Sequence, residues 1–215
     1  MRELLKQNVD VNRCDKTNLS ALCETFDGKR IDAKGLLILD LLIQKNANLN
    51  LQYGHGSDWN QDTILHRLID CLPNSPEEYQ GIVAMVEKCV HHGASCNLPN
   101  GNGETVFHRA IIAGADFVEI FVSGDINLFY VDSKGNTYLH YAVQCHCLKV
   151  VEFLLDRNIE VLKLNHAKET AIDWAIKYFL GLFELLMAKI LIAHCGPFPA
   201  IRIGCTNALN TGQLM

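Results

Sequence analysis

No run of lysine and arginine occurs in this chain of 215 residues, and its formal net charge is -5. Phosphate backbones are bound by clustered cations, so the composition excludes nucleic acid as a partner. The N-terminus, MRELLKQNVDVN, lacks the apolar core of a secretory signal. A phosphate loop is missing too: Gly101-x-Gly103 has no third glycine and no following Lys-Ser/Thr. The nine cysteines are odd in number and scattered, without a disulfide-like framework. In a helical chain this reads as reduced thiols, in the cytoplasm or nucleus. Only one long apolar run occurs, Tyr178 to Cys195, with Glu184 and Lys189 its sole charges. A membrane span needs about 20 apolar residues, and charges in its middle are expensive in lipid. The run therefore reads as a packed outer helix, with membrane contact as the rival reading.

What the chain does have is hydrophobic content, 49% of residues, and a repeated sentence. GNTYLHYAVQCHCLKVVEFLLDRNIEVLKLN is followed by a restart at KETAIDWAIKY. The step from Thr137 to Thr170 is about 33 residues, within the range of repeat periods. Thr105 precedes Thr137 by a nearly equal step, in Glu104-Thr105-Val106-Phe107-His108-Arg109-Ala110. Thr63 precedes Thr105 by a longer one, in Asp62-Thr63-Ile64-Leu65-His66-Arg67-Leu68, and Thr17 precedes Thr63 by a longer one still. Five starts in phase, three carrying Thr-x-x-His, form a repeat pattern rather than a chance motif. By these motifs the chain resembles the ankyrin-repeat family. No start carries the family's proline after the threonine, and the two early spacings require insertions.

The resemblance implies an all-α fold: an ankyrin-repeat solenoid of stacked helix-turn-helix units with short β-turn fingers. The expected domain is 1–195, with a half repeat at 1–14 and repeats at about 15–50, 58–97, 100–131, 132–164 and 165–195; residues 196–215 form an irregular tail. The half repeat, Leu4-Leu5-Lys6-Gln7-Asn8-Val9-Asp10-Val11-Asn12, lacks the inner helix that should precede it, as in a fragment of something longer. In the first unit the inner helix is expected at about Ser20 to Phe26, with Leu36 to Ile43 as the outer helix. Ser75-Pro76-Glu77-Glu78 reads as a helix start: a capping serine, proline in the first turn, acids at the positive end. Gly196-Pro197-Phe198-Pro199 breaks any helix.

Two groups of possible ligands stand out, Cys145-His146-Cys147 and the set Cys89, His91, His92, Cys96. The first is too tight for the usual zinc spacing and falls at an interhelical turn, so both read as ordinary thiols and turn histidines. The resemblance assigns Thr63/His66, Thr105/His108 and Thr137/His140 to helix capping and to backbone bonds with the neighbouring turn. That leaves no catalytic residue, cofactor or metal to name, and the expectation is a non-enzyme. Its function is then protein–protein interaction or scaffolding through the concave surface. The alternative is the regulatory ankyrin portion of a larger enzyme, receptor or membrane protein. By motif position the binding surface comprises Asp58, Trp59, Asn60, Arg67, Asn102, Glu104, Arg109, Ser133, Lys134, Asn136, Tyr138, Tyr141 and Gln144. Trp, Tyr and Arg dominate interface energetics.

Overall fold

The computed structural model describes residues 10–14, 20–26, 30–52, 61–71, 73, 75–122 and 126–178. Among these residues the regular structure is one 3-10 turn, Cys23–Thr25, followed by α1 (Ala33–Gln44), α2 (Ile64–Ile69), α3 (Pro76–His91), α4 (Val106–Ala113), α5 (Ala115–Val122), α6 (Tyr138–Gln144), α7 (Leu148–Leu155) and α8 (Ala171–Tyr178). Short inner helices alternate with outer ones. Inner helices stack in the order α2, α4, α6, α8, while α1 packs on α3 and α3 on α5 in the outer layer. This is an all-α repeat solenoid.

The helices start where local chemistry can satisfy their free N–H groups. Asp32 accepts from Gly35 N at 2.7 Å to open α1. Ser75 accepts from Glu78 N at 3.2 Å to open α3, with Pro76 in the first turn. The inner helices α2, α4 and α6 each begin at the threonine of Thr-x-x-His. A single residue, Gly114, joins α4 to α5 at φ +131°, a backbone state that side chains resist.

One core runs through the stack. Leu65, Leu68, Phe107, Leu139, Ala142 and Ala175 face the middle from the inner helices, and Leu39, Val86, Cys89, Phe121, Val151 and Leu154 from the outer ones; all are buried. The small residues Ala110 and Ala142 are fully buried in α4 and α6, which pack on each other.

The first unit is phased differently from expectation. Cys14 pairs with Ser20 as Val131 pairs with Thr137, so Ser20 rather than Thr17 occupies the threonine position. Ser20 Oγ lies 3.8 Å from Cys23 Sγ, so Cys23 stands where the other units have histidine. A thiol is a weak hydrogen-bond partner, and the inner helix expected over Ser20 to Phe26 shrinks to the turn Cys23–Thr25. Thr17, most of the half repeat and the run after Tyr178 lie outside the described residues; Tyr178 itself closes α8. Among the described residues no helix is long and apolar enough to cross a membrane.

Candidate partner-binding face

Three of the described finger turns are built on one Asn or Asp side chain. Asn100 Oδ1 accepts from the N–H groups of Asn102 and Glu104, each at 3.0 Å. Asp132 Oδ1 does the same for Lys134 and Asn136, at 2.8 and 2.7 Å. Asn165 repeats the second contact with Glu169 N at 3.0 Å. The residue two before each threonine is left-handed: Gln61 (φ 55°), Gly103 (φ 72°), Gly135 (φ 77°) and Lys168 (φ 65°). Glycine is needed at the middle two because the next finger crosses there. A Cβ on Gly103 would lie 2.6 Å from Ser133 N, and one on Gly135 would lie 2.8 Å from the His166 ring.

The histidines tie fingers to helices. His66 Nδ1 accepts from Thr63 N at 3.2 Å, so the ring proton sits on Nε2, which donates to Glu104 O at 2.9 Å. His140 does the same from Thr137 N, at 3.2 Å, to Glu169 O, at 3.2 Å. Burial depresses the pKa of both imidazoles, against the pull of those carbonyls, and keeps them neutral. His108 caps its own helix through Thr105 N at 3.1 Å. Its Nε2, however, is fully buried without a hydrogen bond. The equivalent acceptor, Asn136 O, is near enough to favour a proton on the ring but outside bonding geometry, and burial lowers the pKa to about 4.

A polar network covers the inner-helix face. Arg109 donates from Nε to Glu104 at 2.9 Å and from Nη1 to Asp70 at 2.6 Å, binding adjacent repeats together. Trp174 Nε1 donates to Glu169 at 2.8 Å from the same register as Arg109. Burial pushes Asp70 upward despite Arg109. Burial also works against the Glu104 anion, but Arg109, Asn100 and Tyr141 outweigh it and hold that carboxyl below the ordinary range. Between fingers, Asn100 Nδ2 donates to Asp62 at 3.0 Å, and Asn165 Nδ2 donates to Asn136 Oδ1 at 2.9 Å. The middle finger inverts this polarity, because Asp132 is an acceptor where Asn100 and Asn165 are donors. Two carboxylates then face each other. The Tyr141 hydroxyl sits between them, 3.0 Å from Glu104 Oε1 and 2.9 Å from Asp132 Oδ2. Burial and the two carboxylates raise its pKa.

The structure therefore divides the expected surface. Asn102, Ser133, Lys134 and Gln144 are exposed, and Glu104 and Arg109 are half-buried within the network. Arg67 is buried with its guanidinium 5.6 Å from the Phe26 ring centre. Asn136 is buried in its finger, and Tyr141 is buried between its carboxylates. Tyr138 is also buried: its hydroxyl lies 2.7 Å from Thr105 Oγ1 and its ring stands edge-on to Phe107 at 4.9 Å. The register held the clue to Tyr138, because Ile64 and Val106 occupy the same position and are buried as well. Asp58, Trp59 and Asn60 lie outside the described residues. Sequence reasoning missed Asp70 and Ile112, which share a register with Gln144; Ile112 is 54% exposed one turn beyond Arg109.

The two ligand-like groups are built into the scaffold. His91 and His92 Nδ1 lie 2.8 and 2.9 Å from the carbonyls of Glu87 and Lys88, and Cys89 and Cys96 are buried. His146 holds a left-handed turn (φ 55°) between the half-buried Cys145 and Cys147. Among the described residues no three His, Cys, Asp or Glu side chains are grouped to hold a metal ion.

Residues 78–165 match the family model described as ankyrin repeats (3 copies). Alpha-latroinsectotoxin-Lt1a from Latrodectus tredecimguttatus is 34% identical over 82 residues, which are 38% of this chain and 6% of the toxin. The chain thus spans a small fraction of that relative's length. A chain of the solved complex between the Bd0816 predatory endopeptidase from Bdellovibrio bacteriovorus and immunity protein Bd3460 superposes with a TM-score of 0.64 at 20% identity, covering 87% of this chain and 90% of its own. At that identity the likeness is one of fold.

Proposed function

We propose that this ankyrin-repeat protein, its family established over residues 78–165, binds another protein through its inner-helix face and fingertips and performs no chemistry of its own. The observation that carries this reading is how the polar side chains on that face are used. Arg109, Glu104, Tyr141 and Asp132 are spent on one another. Beside them an outward row remains open to a partner: Ile112 and Gln144 from the helices, with Asn102, Ser133 and Lys134 from the fingertips. An apolar anchor next to a fixed guanidinium, rimmed by small polar groups, is the composition of a binding hot spot. Pre-organisation lowers the cost of association, since few side chains need ordering on contact.

The test is affinity capture with the full chain and with Ile112→Asp/Lys134→Glu, both positions being exposed and outside the internal network. Equal helical circular dichroism establishes that the variant is folded. A protein identified with the first and lost with the second, then rebound in purified form, is the expected result. Capture unchanged by the two substitutions sinks the assignment of this face.

A further inference from the structure

We infer that, among the described residues, the repeat array yields at the junction between the Thr105 and Thr137 repeats, which acts as a built-in flexure. Four devices that stitch the preceding Thr63–Thr105 junction are missing or inverted at this one, and the first two of them return at the junction with Thr170. The histidine bond is the first: His66 and His140 bond the next finger at 2.9 and 3.2 Å, whereas His108 Nε2 meets Asn136 O outside bonding geometry. Finger polarity is the second, with Asp132 turning an amide-to-acceptor bond into two opposed carboxylates bridged by one phenol.

An asparagine ladder along the opposite ends of the repeats is the third. Asn12 Oδ1 accepts from Asn48 N at 2.6 Å, Asn50 from Ser95 N at 2.7 Å, and Asn97 from Asn127 N at 2.9 Å. The next rung is Phe129, 69% exposed, which offers no oxygen to the Glu160 N–H that stands in register. Outer-helix packing is the fourth. Between α5 and α7 lies a groove of about 250 Å³, open to solvent and lined by Val118, Val122, Cys147, Val150 and Phe153 together with Glu119 and Lys149. Among the described residues Lys149 and Glu119 form an ion pair across it, 3.9 Å apart and largely exposed. Helices separated by an unfilled groove lack the dense contacts that would fix them against each other.

What remains is concentrated on the inner side: Tyr138 on Thr105, Tyr141 on Glu104, and the fingertip bond from Ser133 N to Asn102 O at 2.9 Å. A joint fastened on one side and open on the other bends about the fastened side. The motion widens the gap between α5 and α7 and changes the curvature of the inner face.

Native-state hydrogen exchange on the full chain, read amide by amide by NMR, tests this. The probes are three amides bonded between repeats: Asn127 to Asn97, Ser133 to Asn102, and His166 to Lys134. Bending alone leaves the Ser133 bond intact, but full parting of the joint, which frees that N–H, has fewer bonds to break here; Ser133 should therefore exchange about tenfold faster than both others, the difference made by roughly one hydrogen bond. Phe129→Asn restores the missing rung at an exposed position; it should slow Ser133 about tenfold, protect Glu160 and leave Asn127 unchanged. Tyr141→Phe should speed Ser133 selectively. Should that variant fail to fold, Phe129→Asn decides alone. Ser133 exchanging as slowly as Asn127 and His166, or Phe129→Asn leaving Ser133 untouched, overturns the inference.

Discussion

The junction between the Thr63 and Thr105 repeats and the junction between the Thr105 and Thr137 repeats occupy the same register and are held by different forces. The first is polar and directional: His66 to Glu104, Asn100 to Asp62, Arg109 to Asp70, Asn97 to Asn127. The second keeps hydrogen bonds at Tyr138, Tyr141 and Ser133 but is centred on rings: Phe107 meets Tyr138 at 4.9 Å and Phe153 at 6.4 Å, while His108 lies against Tyr138 at 4.2 Å and Tyr141 at 4.9 Å. Hydrogen bonds fix distance and direction. Ring contacts stabilise comparably over a wider span of separations, roughly 4.5–7 Å between centroids. A repeat interface can therefore keep its stability while giving up its rigidity.

The largest expected effect comes from removing the aromatic centre. Phe107→Ala should destabilise by about 3–5 kcal/mol, measured by urea unfolding, because the fully buried ring bridges to two rings of the following repeat. Phe107→Leu gives the second junction the residue found at the equivalent Leu65. Recovery of most of that loss would mean that apolar volume, not ring contact, holds the joint.

Acidification addresses the histidines. His108 has a folded pKa of about 4 against an ordinary 6.5, set by burial, so over that interval the unfolded chain binds the extra proton. Its contribution is complete above pH 6.5 and is lost as pH falls towards 4, on the order of 3 kcal/mol for this one ring. Unfolding at pH 7 and pH 5 should show a flatter pH dependence for His108→Gln than for the wild type. An equal slope would mean that another group carries the linkage.

A smaller difference separates the two histidines. His66→Ala loses a helix cap and an inter-repeat hydrogen bond; His108→Ala loses the cap and its ring contacts with Tyr138 and Tyr141. One hydrogen bond and these contacts are of similar size, so the two variants should fall within about 1 kcal/mol of each other by chemical denaturation. Smallest of all is the outer layer. Lys149→Ala removes a pair 81% and 73% exposed and should stay within about 0.5 kcal/mol of zero. Lys88→Ala breaks a tighter and less exposed contact with Asp40 and should cost up to about 1 kcal/mol.

Much of this contrast could be read in the letters. Thr-x-x-His marked the inner helices that open at Thr63, Thr105 and Thr137, since capping needs those residue types at that spacing. Asparagine recurs in the letters at Asn12, Asn50 and Asn97, but the rungs these residues form emerge only in the structure. Less legible was which polar residues are spent internally. Tyr138 and Tyr141 look like interface residues as letters, yet one is covered by the preceding helix and the other fills a gap created by Asp132. That gap is legible only once Asp132 is aligned with Asn100 and Asn165 and its role as acceptor or donor is compared. Thr17 misled because a serine and a cysteine, at Ser20 and Cys23, had taken the places of threonine and histidine.

The histidine bonds also have an arrow. His66 and His140 each complete their own helix start with one nitrogen and spend the other on the finger that follows, not on the one before. On a ribosome the following finger does not yet exist, so a newly made repeat waits half-tied until the next emerges. The wait ends at Thr170, where Asp173 replaces histidine and satisfies Thr170 N and Oγ1, each at 2.7 Å, through one carboxylate oxygen. That repeat closes its own helix start without help from its successor. Synthesis, on this chemistry, leaves the Thr63 and Thr137 units provisional until one more finger has been made and lets this one close its helix start by itself.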